Sequence, residues 1–348
     1  MKKKVRLKDI AKLANVSVGT VDRVVHQRGE VAEDSYKRVM AIIEKTGYTP
    51  NLIARTLGSN KSFTVIAVVP DPAQDEYWKF AQDGILQAQD DWTQYSLQIK
   101  SQWFDLYDKS SFVKAIKSAI RAKPDGILMA PIFHQEAVTA FELCRKNGIP
   151  FVLFNNDIPG TNPLSFVGQD LYQSGQLGAE LLQISQTAPG TYAILHIYDD
   201  ISNSTHLSEK EKGFKEYFKG LEGGGNKAIS VDLSFSHKKT LKKEIDELLS
   251  AKDLRGLLVT TSKGASIVSS MLEAHGKNEI RLVAYDLLRE NVIQLNKGII
   301  DFLINQNSKQ QAYVGLSHLS NFLLFNKKPA GHLFPLEIIT RKNLSSYL

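Results

Sequence analysis

A small all-α helix–turn–helix head, then an α/β body of two doubly wound parallel-sheet subdomains around a ligand cleft, is the fold class predicted for this 348-residue chain. Three observations predict it. Charge is partitioned, because residues 1–60 hold twelve Lys and Arg against six acids, whereas the rest of the chain holds thirty-one of each. Apolar residues in the first fifty positions recur at helical spacing. Beyond residue 62, short apolar runs alternate with helical stretches, and the alternation comes in two successive series.

In the head, LKDIAKLANVS reads as a first helix with Leu7, Ile10, Ala11 and Ala14 on one face. Asn15-Val16 makes a short turn, and Ser17 stands at an N-cap position before VGTVDRVVHQ. That second helix carries Val18, Val21, Val24 and Val25. Gly29 ends it, and VAEDSYKRVMAIIEKTGY supplies a third helix with Val39, Ile42 and Ile43 inward. Two short helices joined by a tight turn and braced by a third form a unit that can lay its second helix in a major groove. On periodicity alone the same unit could also be a protein-docking module.

In the body, FTVIAVVP, SLQIKSQWF, DGILMAP, IPFVLFNN and LSFVG read as strands, with helices between them. The second series runs from the helix LYQSGQLGAELLQIS through TYAILHIY, AISVDLSF, GLLVTTS, IRLVAYD and IDFLINQ to a long helix around QQAYVGLSHLSNFLLF. Repeated βα units imply parallel sheets covered on both faces, with ligands at the carboxyl ends of the strands.

Several classes are excluded. The single cysteine, Cys144, cannot form an intrachain disulfide, which favours a reducing cytoplasm, and its helical setting favours packing over nucleophilic chemistry. No apolar run approaches the ~18–20 residues that cross a bilayer, so no membrane partner is expected. MKKKVRLKDI opens like an export signal, but Lys8, Asp9 and Lys12 interrupt any apolar stretch. There is no Walker loop, no G-x-S-x-G elbow and no G-x-G-x-x-G after a strand. Gly223-Gly224-Gly225 reads as a helix end and loop. His196 and His206 lack a Cys or carboxylate at metal-ligand spacing, so no metal, cofactor or catalytic residue is expected.

The run from Leu7 to Leu57 resembles the headpiece of the lactose-repressor/galactose-repressor family of bacterial transcription regulators. The matching features are D-I-A, A-N-V-S before the second helix, T-V-x-R-V-V inside it, G-Y-x-P-N and A-R-x-L. The resemblance implies that Val18, Gly19, Asp22, Arg23 and His26 face base edges, with Lys8, Ser17 and Thr20 completing the head's DNA contacts. Arg23 suits guanine, since a guanidinium pairs with O6 and N7 together. Gly19 and Asp22 depart from the family's usual polar residue and serine, so an operator cannot be copied from a relative. The segment with Asn51, Ala54 and Leu57 resembles the family's hinge helix, in which the leucine wedges into the minor groove. These assignments divide the chain into a head at 1–50, a hinge and linker at 51–61, and a body at 62–348. The first subdomain is expected at about 62–169 and 301–327, the second at about 170–299 and 330–343.

The body resembles the effector domain of the same family, which shares the type I periplasmic-binding-protein fold. VVPDPAQDEYW, VGQD, EKGFKEYF and AYD carry the likeness. Cleft contacts are expected from Asp75, Tyr77 and Trp78 after the first strand and Trp103 after the second. Phe133 and His134 follow the third, and Asn155 and Asp157 the fourth, with Asp170 ending VGQD. Lys210, in place of the family's ligand-binding Arg, joins Ser262, Asp286 and Gln306. Aromatic rings beside carboxylates and amides suit a polyhydroxylated ligand. The expected protein is a cytoplasmic homodimer that binds a pseudo-palindromic operator, most simply as a repressor, under control of a sugar or sugar derivative. The alternatives are a cytoplasmic solute-binding protein with a docking head, and a purine- or nucleoside-responsive regulator.

Overall fold

The structure is a computed structural model. It describes residues 5–26, 29–46, 48, 61–197, 203–221, 225–234, 237–277 and 279–348. The chain divides into two compact units, Met1–Lys61 and Ser62–Leu348.

The head contains α1 (Leu7–Ala14), α2 (Val18–His26) and α3 (Glu33–Thr46). Asn15 ends α1 in the left-handed conformation at φ 50, a geometry asparagine tolerates better than most side chains. Its amide and that of Val16 return to carbonyls of the last turn. Ser17 then caps the next helix, its Oγ accepting from Thr20 N at 3.0 Å. Ile10, Ala11 and Ala14 pack against Val21, Val24 and Val39. This small core fixes which face of α2 is turned outward.

The body has two six-stranded sheets. Its first half holds β1 (Phe63–Pro70), α4 (Glu76–Thr93), β2 (Leu97–Phe104), α5 (Lys109–Arg121), β3 (Gly126–Met129), α6 (His134–Lys146), β4 (Phe151–Asn155) and β5 (Ser165–Gly168). Next come α7 (Leu171–Ile184), β6 (Thr191–Ile197), α8 (Thr205–Lys219), β7 (Lys227–Leu233), α9 (Lys238–Leu249), β8 (Leu254–Val259), α10 (Ser262–His275), β9 (Arg281–Tyr285), α11 (Arg289–Lys297) and β10 (Phe302–Asn305). The chain finishes with α12 (Ser308–Phe325), β11 (His332–Leu333) and β12 (Glu337–Ile339). The first sheet runs β11-β5-β4-β3-β1-β2 and the second β12-β10-β9-β8-β6-β7. All pairings are parallel except β10 with β12. The central strands are buried on both faces, as their continuous apolar runs require.

The chain crosses between the subdomains three times, and the last two crossings differ from expectation. Residues 302–305 belong to the second sheet, because Phe302 pairs beside Val283 and Leu303 opposite Ile339. The crossing comes just afterwards, at Asn307, whose left-handed φ of 57 turns the chain into α12 against the first sheet. His332 and Leu333 return to pair with Val167 and Gly168 in the first sheet rather than the second. Gln169, at the first crossing, ties all three together. Its buried amide nitrogen donates to Asn305 O at 2.9 Å and to Pro335 O at 2.8 Å. Among the described residues, no helix is long and apolar enough to cross a membrane.

Candidate functional site

In the head, the outward face of α2 presents Val18, Gly19 and Arg23, with Lys8 of α1 also exposed. Burial of Val21 and Val24 rotates this face to solvent. A Cβ at Gly19 would meet only Ser17 Oγ, at 3.7 Å, so the missing side chain leaves open surface there. Ser17 is spent on capping through Thr20 N, and Thr20 Oγ1 lies 2.9 Å from Ser17 Oγ. Asp22 is half-buried. The His26 side chain and residues Asn51, Ala54 and Leu57 lie outside the described residues.

In the body, a cleft of about 90 Å³ opens between the two sheets. The first subdomain contributes Asp75, Tyr77, Trp78 and Asn155. Asp75 caps α4, its Oδ1 accepting from Tyr77 N at 3.0 Å. Tyr77 Oη accepts from Asn155 Nδ2, and the Tyr77 ring meets Trp78 edge-on at 5.0 Å. Burial raises the Asp75 carboxyl and pushes the Tyr77 phenol well above its ordinary range.

The second subdomain contributes Lys210, Ser262 and the loop before α10, and Gln306 stands at the crossing. Lys210 is 1% exposed. Its Nζ lies 3.5 Å from the Tyr285 ring centroid and 3.5 Å from Thr260 O. Burial pulls the ammonium down to about 8, offset in part by the Asp286 charge. Close packing of α7 on α8 sets this position, since a Cβ at Gly175 would overlap the Lys210 carbonyl. Asp286 follows β9 with φ 65. Its Oδ1 accepts from Gln306 N at 2.9 Å, and its Oδ2 from Gln306 Nε2 at 2.7 Å and from Ser262 Oγ. Burial raises this carboxyl, while those hydrogen bonds and Lys210 oppose the rise.

Seven of the residues expected from sequence therefore line one cavity (Asp75, Tyr77, Trp78, Asn155, Lys210, Ser262 and Gln306), and Asp286 braces two of them. Five do not line it. Trp103 lies within β2 and packs against the first core. Phe133 is 2% exposed in that core, against Phe104 and Phe112. His134 opens α6 outside the lining, and Asp157 is half-buried beyond β4. Asp170 caps α7, accepting from Gln173 N at 2.9 Å. After β2 and β3 it is Leu106, Tyr107 and Ile132 that enter the lining, so the local turn decides which residue near a strand end reaches the cleft.

Residues 66–327 match the periplasmic binding protein domain family, and residues 6–51 match the lacI family of bacterial regulatory proteins. The chain belongs to the periplasmic binding protein domain family and carries a lacI-type regulatory head. The HTH-type transcriptional regulator DegA of Bacillus subtilis (strain 168) is 26% identical over 215 residues, 61% of this chain and 60% of that protein. Catabolite control protein A of Priestia megaterium is 30% identical over 212 residues, again 61% of this chain and 60% of the relative. The chain thus spans about three fifths of the length of these curated relatives. A solved structure of a candidate LacI transcriptional regulator from Bacteroides fragilis superposes with a TM-score of 0.74 at 26% identity. It covers 83% of this chain and 100% of that one.

Within this family frame, the sequence reading missed several cleft residues. Thr261, Lys263 and Gly264 flank the expected Ser262 in the cap and first turn of α10, and all three line the cavity. They stand just beyond β8, at the carboxyl end of a strand, where cleft residues are expected. His206 lies one helical turn before Lys210 and reaches across to Asn156 Nδ2 at 3.1 Å. Burial and the Lys210 charge push its imidazole down to about 3, which keeps it neutral. Tyr107, 40% exposed, sits at the mouth. Contacts between the subdomains border the site: Lys263 Nζ donates to Gln74 O at 3.3 Å, and Asn203 bridges Gln135 N and Glu136. Among the described residues no group of three or more metal-ligating side chains comes together. Cys144 is buried and its thiol is pushed up to about 11, which suppresses thiolate chemistry.

Proposed function

We propose that this chain is a sequence-specific DNA-binding regulator of transcription, probed at its operator by the exposed face of α2 and controlled by a small polyhydroxylated effector in the body cleft. The observation that carries the reading is one chain joining two surfaces. One is a basic helix–turn–helix face with Val18 and Arg23 exposed; the other is a cleft lined from both sheets. Lys8 and Arg23 supply phosphate and base-edge chemistry. Rings at Tyr77 and Trp78 beside Asp75, Asn155 and Gln306 suit a compact polyol. Reading of a pseudo-palindrome requires two heads related by a two-fold axis, so the working form is a cytoplasmic homodimer. The role is regulatory, and no catalytic step is assigned to the cleft.

Fluorescence anisotropy against a pseudo-palindromic operator library tests the reading. Selective binding that weakens steeply between about 50 and 200 mM salt is expected. Addition of a bound polyol should change that affinity, because differential binding to two arrangements shifts their populations. Removal of residues 1–60 should abolish DNA binding and spare ligand binding. Absence of sequence-selective binding by the full chain would leave a solute-binding protein with a docking head.

A further inference from the structure

Two features of the second subdomain converge on the same end of the cleft. The first is Lys210. Its ammonium is almost wholly buried and lines the cavity, and it meets a ring face and one carbonyl oxygen rather than an acid. Among the described residues no carboxylate lies within ion-pair distance of its Nζ, while the nearby Asp286 already accepts three hydrogen bonds. A buried charge is ordinarily paired, since removal from water is costly.

The second feature is the N-terminus of α10, a fourteen-residue helix. Its cap, Thr261, makes no side-chain cap hydrogen bond, and its first turn contains no acid. The first turn instead carries Lys263, and its residues line the cavity. The positive end of a helix favours an anion, which its amides can hold. The carbonyl that Lys210 approaches belongs to Thr260, adjacent to this cap, so ammonium and helix end lie side by side. The helix facing them from the first subdomain, α4, differs. It is already capped by Asp75 and has Glu76 in its first turn.

We propose that the effector is an acid of the polyol class, with a carboxylate or phosphate seated between the Lys210 ammonium and the N-terminus of α10. The inference rests on the regulator reading above and narrows its ligand. Asp75 and Asn155, which line the cavity from the first subdomain, then offer hydrogen-bond partners to the hydroxyls. A neutral sugar could hydrogen-bond to Lys210 but would leave its charge offset only in part, by the nearby Asp286 carboxylate.

Calorimetry on the full-length protein tests this with matched sets: D-glucose, D-glucuronate, D-gluconate and D-glucose 6-phosphate, then the corresponding galactose and mannose compounds, with inorganic phosphate alone. An acid is expected to bind at least tenfold more tightly than its neutral parent, and the carboxylate and phosphate arms separate the two sources of charge. Lys210→Met should reduce that preference below threefold, and Lys210→Arg should retain most of it. A neutral parent that binds as tightly as its acids, and still alters operator affinity, overturns the inference while the regulator reading stands. Binding by no member of any set overturns the inference and the polyol assignment together, with operator binding judged separately on DNA. The wild-type comparison decides the matter even if Lys210→Met does not fold.

Discussion

The Gln169 amide nitrogen donates to the Asn305 carbonyl oxygen at 2.9 Å, joining the first chain crossing to the second. The same nitrogen reaches Pro335 O at 2.8 Å in the third. One side chain thus pins the three segments about which the subdomains would have to turn. Gln169→Leu keeps the bulk and removes both donors, leaving two carbonyls without this partner. Urea unfolding should show a loss of about 1–3 kcal/mol, the usual cost of stranding buried polar groups. Unchanged stability would mean that water replaces the amide and the pin carries no energetic weight.

Asp286 combines an acceptor role with a backbone that disfavours most side chains, at φ 65. Both Asp286→Ala and Asp286→Gly remove the acceptor of Gln306 and Ser262, and both should weaken the effector. They should differ in stability. Glycine adopts a left-handed conformation without a Cβ penalty, so Asp286→Gly should be the more stable by about 1 kcal/mol. Parallel thermal and denaturant unfolding of the two variants measures the difference. Equal stability would show that the backbone relaxes when the carboxylate is lost.

Lys210 links binding to stability through its charge. Its ammonium is held down to about 8 from an ordinary value of 10.5, so the folded protein loses this proton before the unfolded chain does. The burial penalty is therefore fully present below pH 8 and disappears as pH rises towards 10.5. Lys210→Met should stabilise the ligand-free body at pH 7 by about 1–3 kcal/mol. The difference in unfolding free energy between the two proteins should shrink from pH 7.5 to about 10. Subtraction removes the background of tyrosines and other lysines that titrate over the same range. A difference that grows with pH would contradict the assigned direction.

On the DNA side, Arg23 and Lys8 should separate by the kind of contact each makes. Arg23→Ala is expected to lose about 1–3 kcal/mol, concentrated at one base pair of each half-site. Lys8→Ala should weaken all sequences alike and lower the salt slope by about one. Anisotropy titrations over half-site variants at several salt concentrations read both effects. Uniform loss with Arg23→Ala would place that guanidinium on phosphate.

The periodicities along the chain already contained the three-helix head, the two βα series and most strand ends. Ile10, Val21 and Val39 each fall on the apolar face of their own helix, and β1 and β6 are continuous apolar runs that make sense only when covered on both faces. Asp75, Asn155 and Ser262 could be placed in the cleft because strands of a doubly wound sheet deliver their carboxyl ends to one edge. Side-chain direction within each turn was not legible in this way. Trp103 still belongs to β2, Phe133 turns back into the ring cluster with Phe104 and Phe112, and Asp170 is spent on a helix end while its neighbour Gln169 holds the crossings. Sheet membership of residues 302–305 and 332–333 was equally hidden, because it depends on which distant strand offers a free edge, Tyr285 in one case and Val167 in the other. Local spacing records which residues share a face. Long-range pairing and the packing of α7 on α8 decide what that face meets, and so set the buried ammonium of Lys210 beside the first turn of α10.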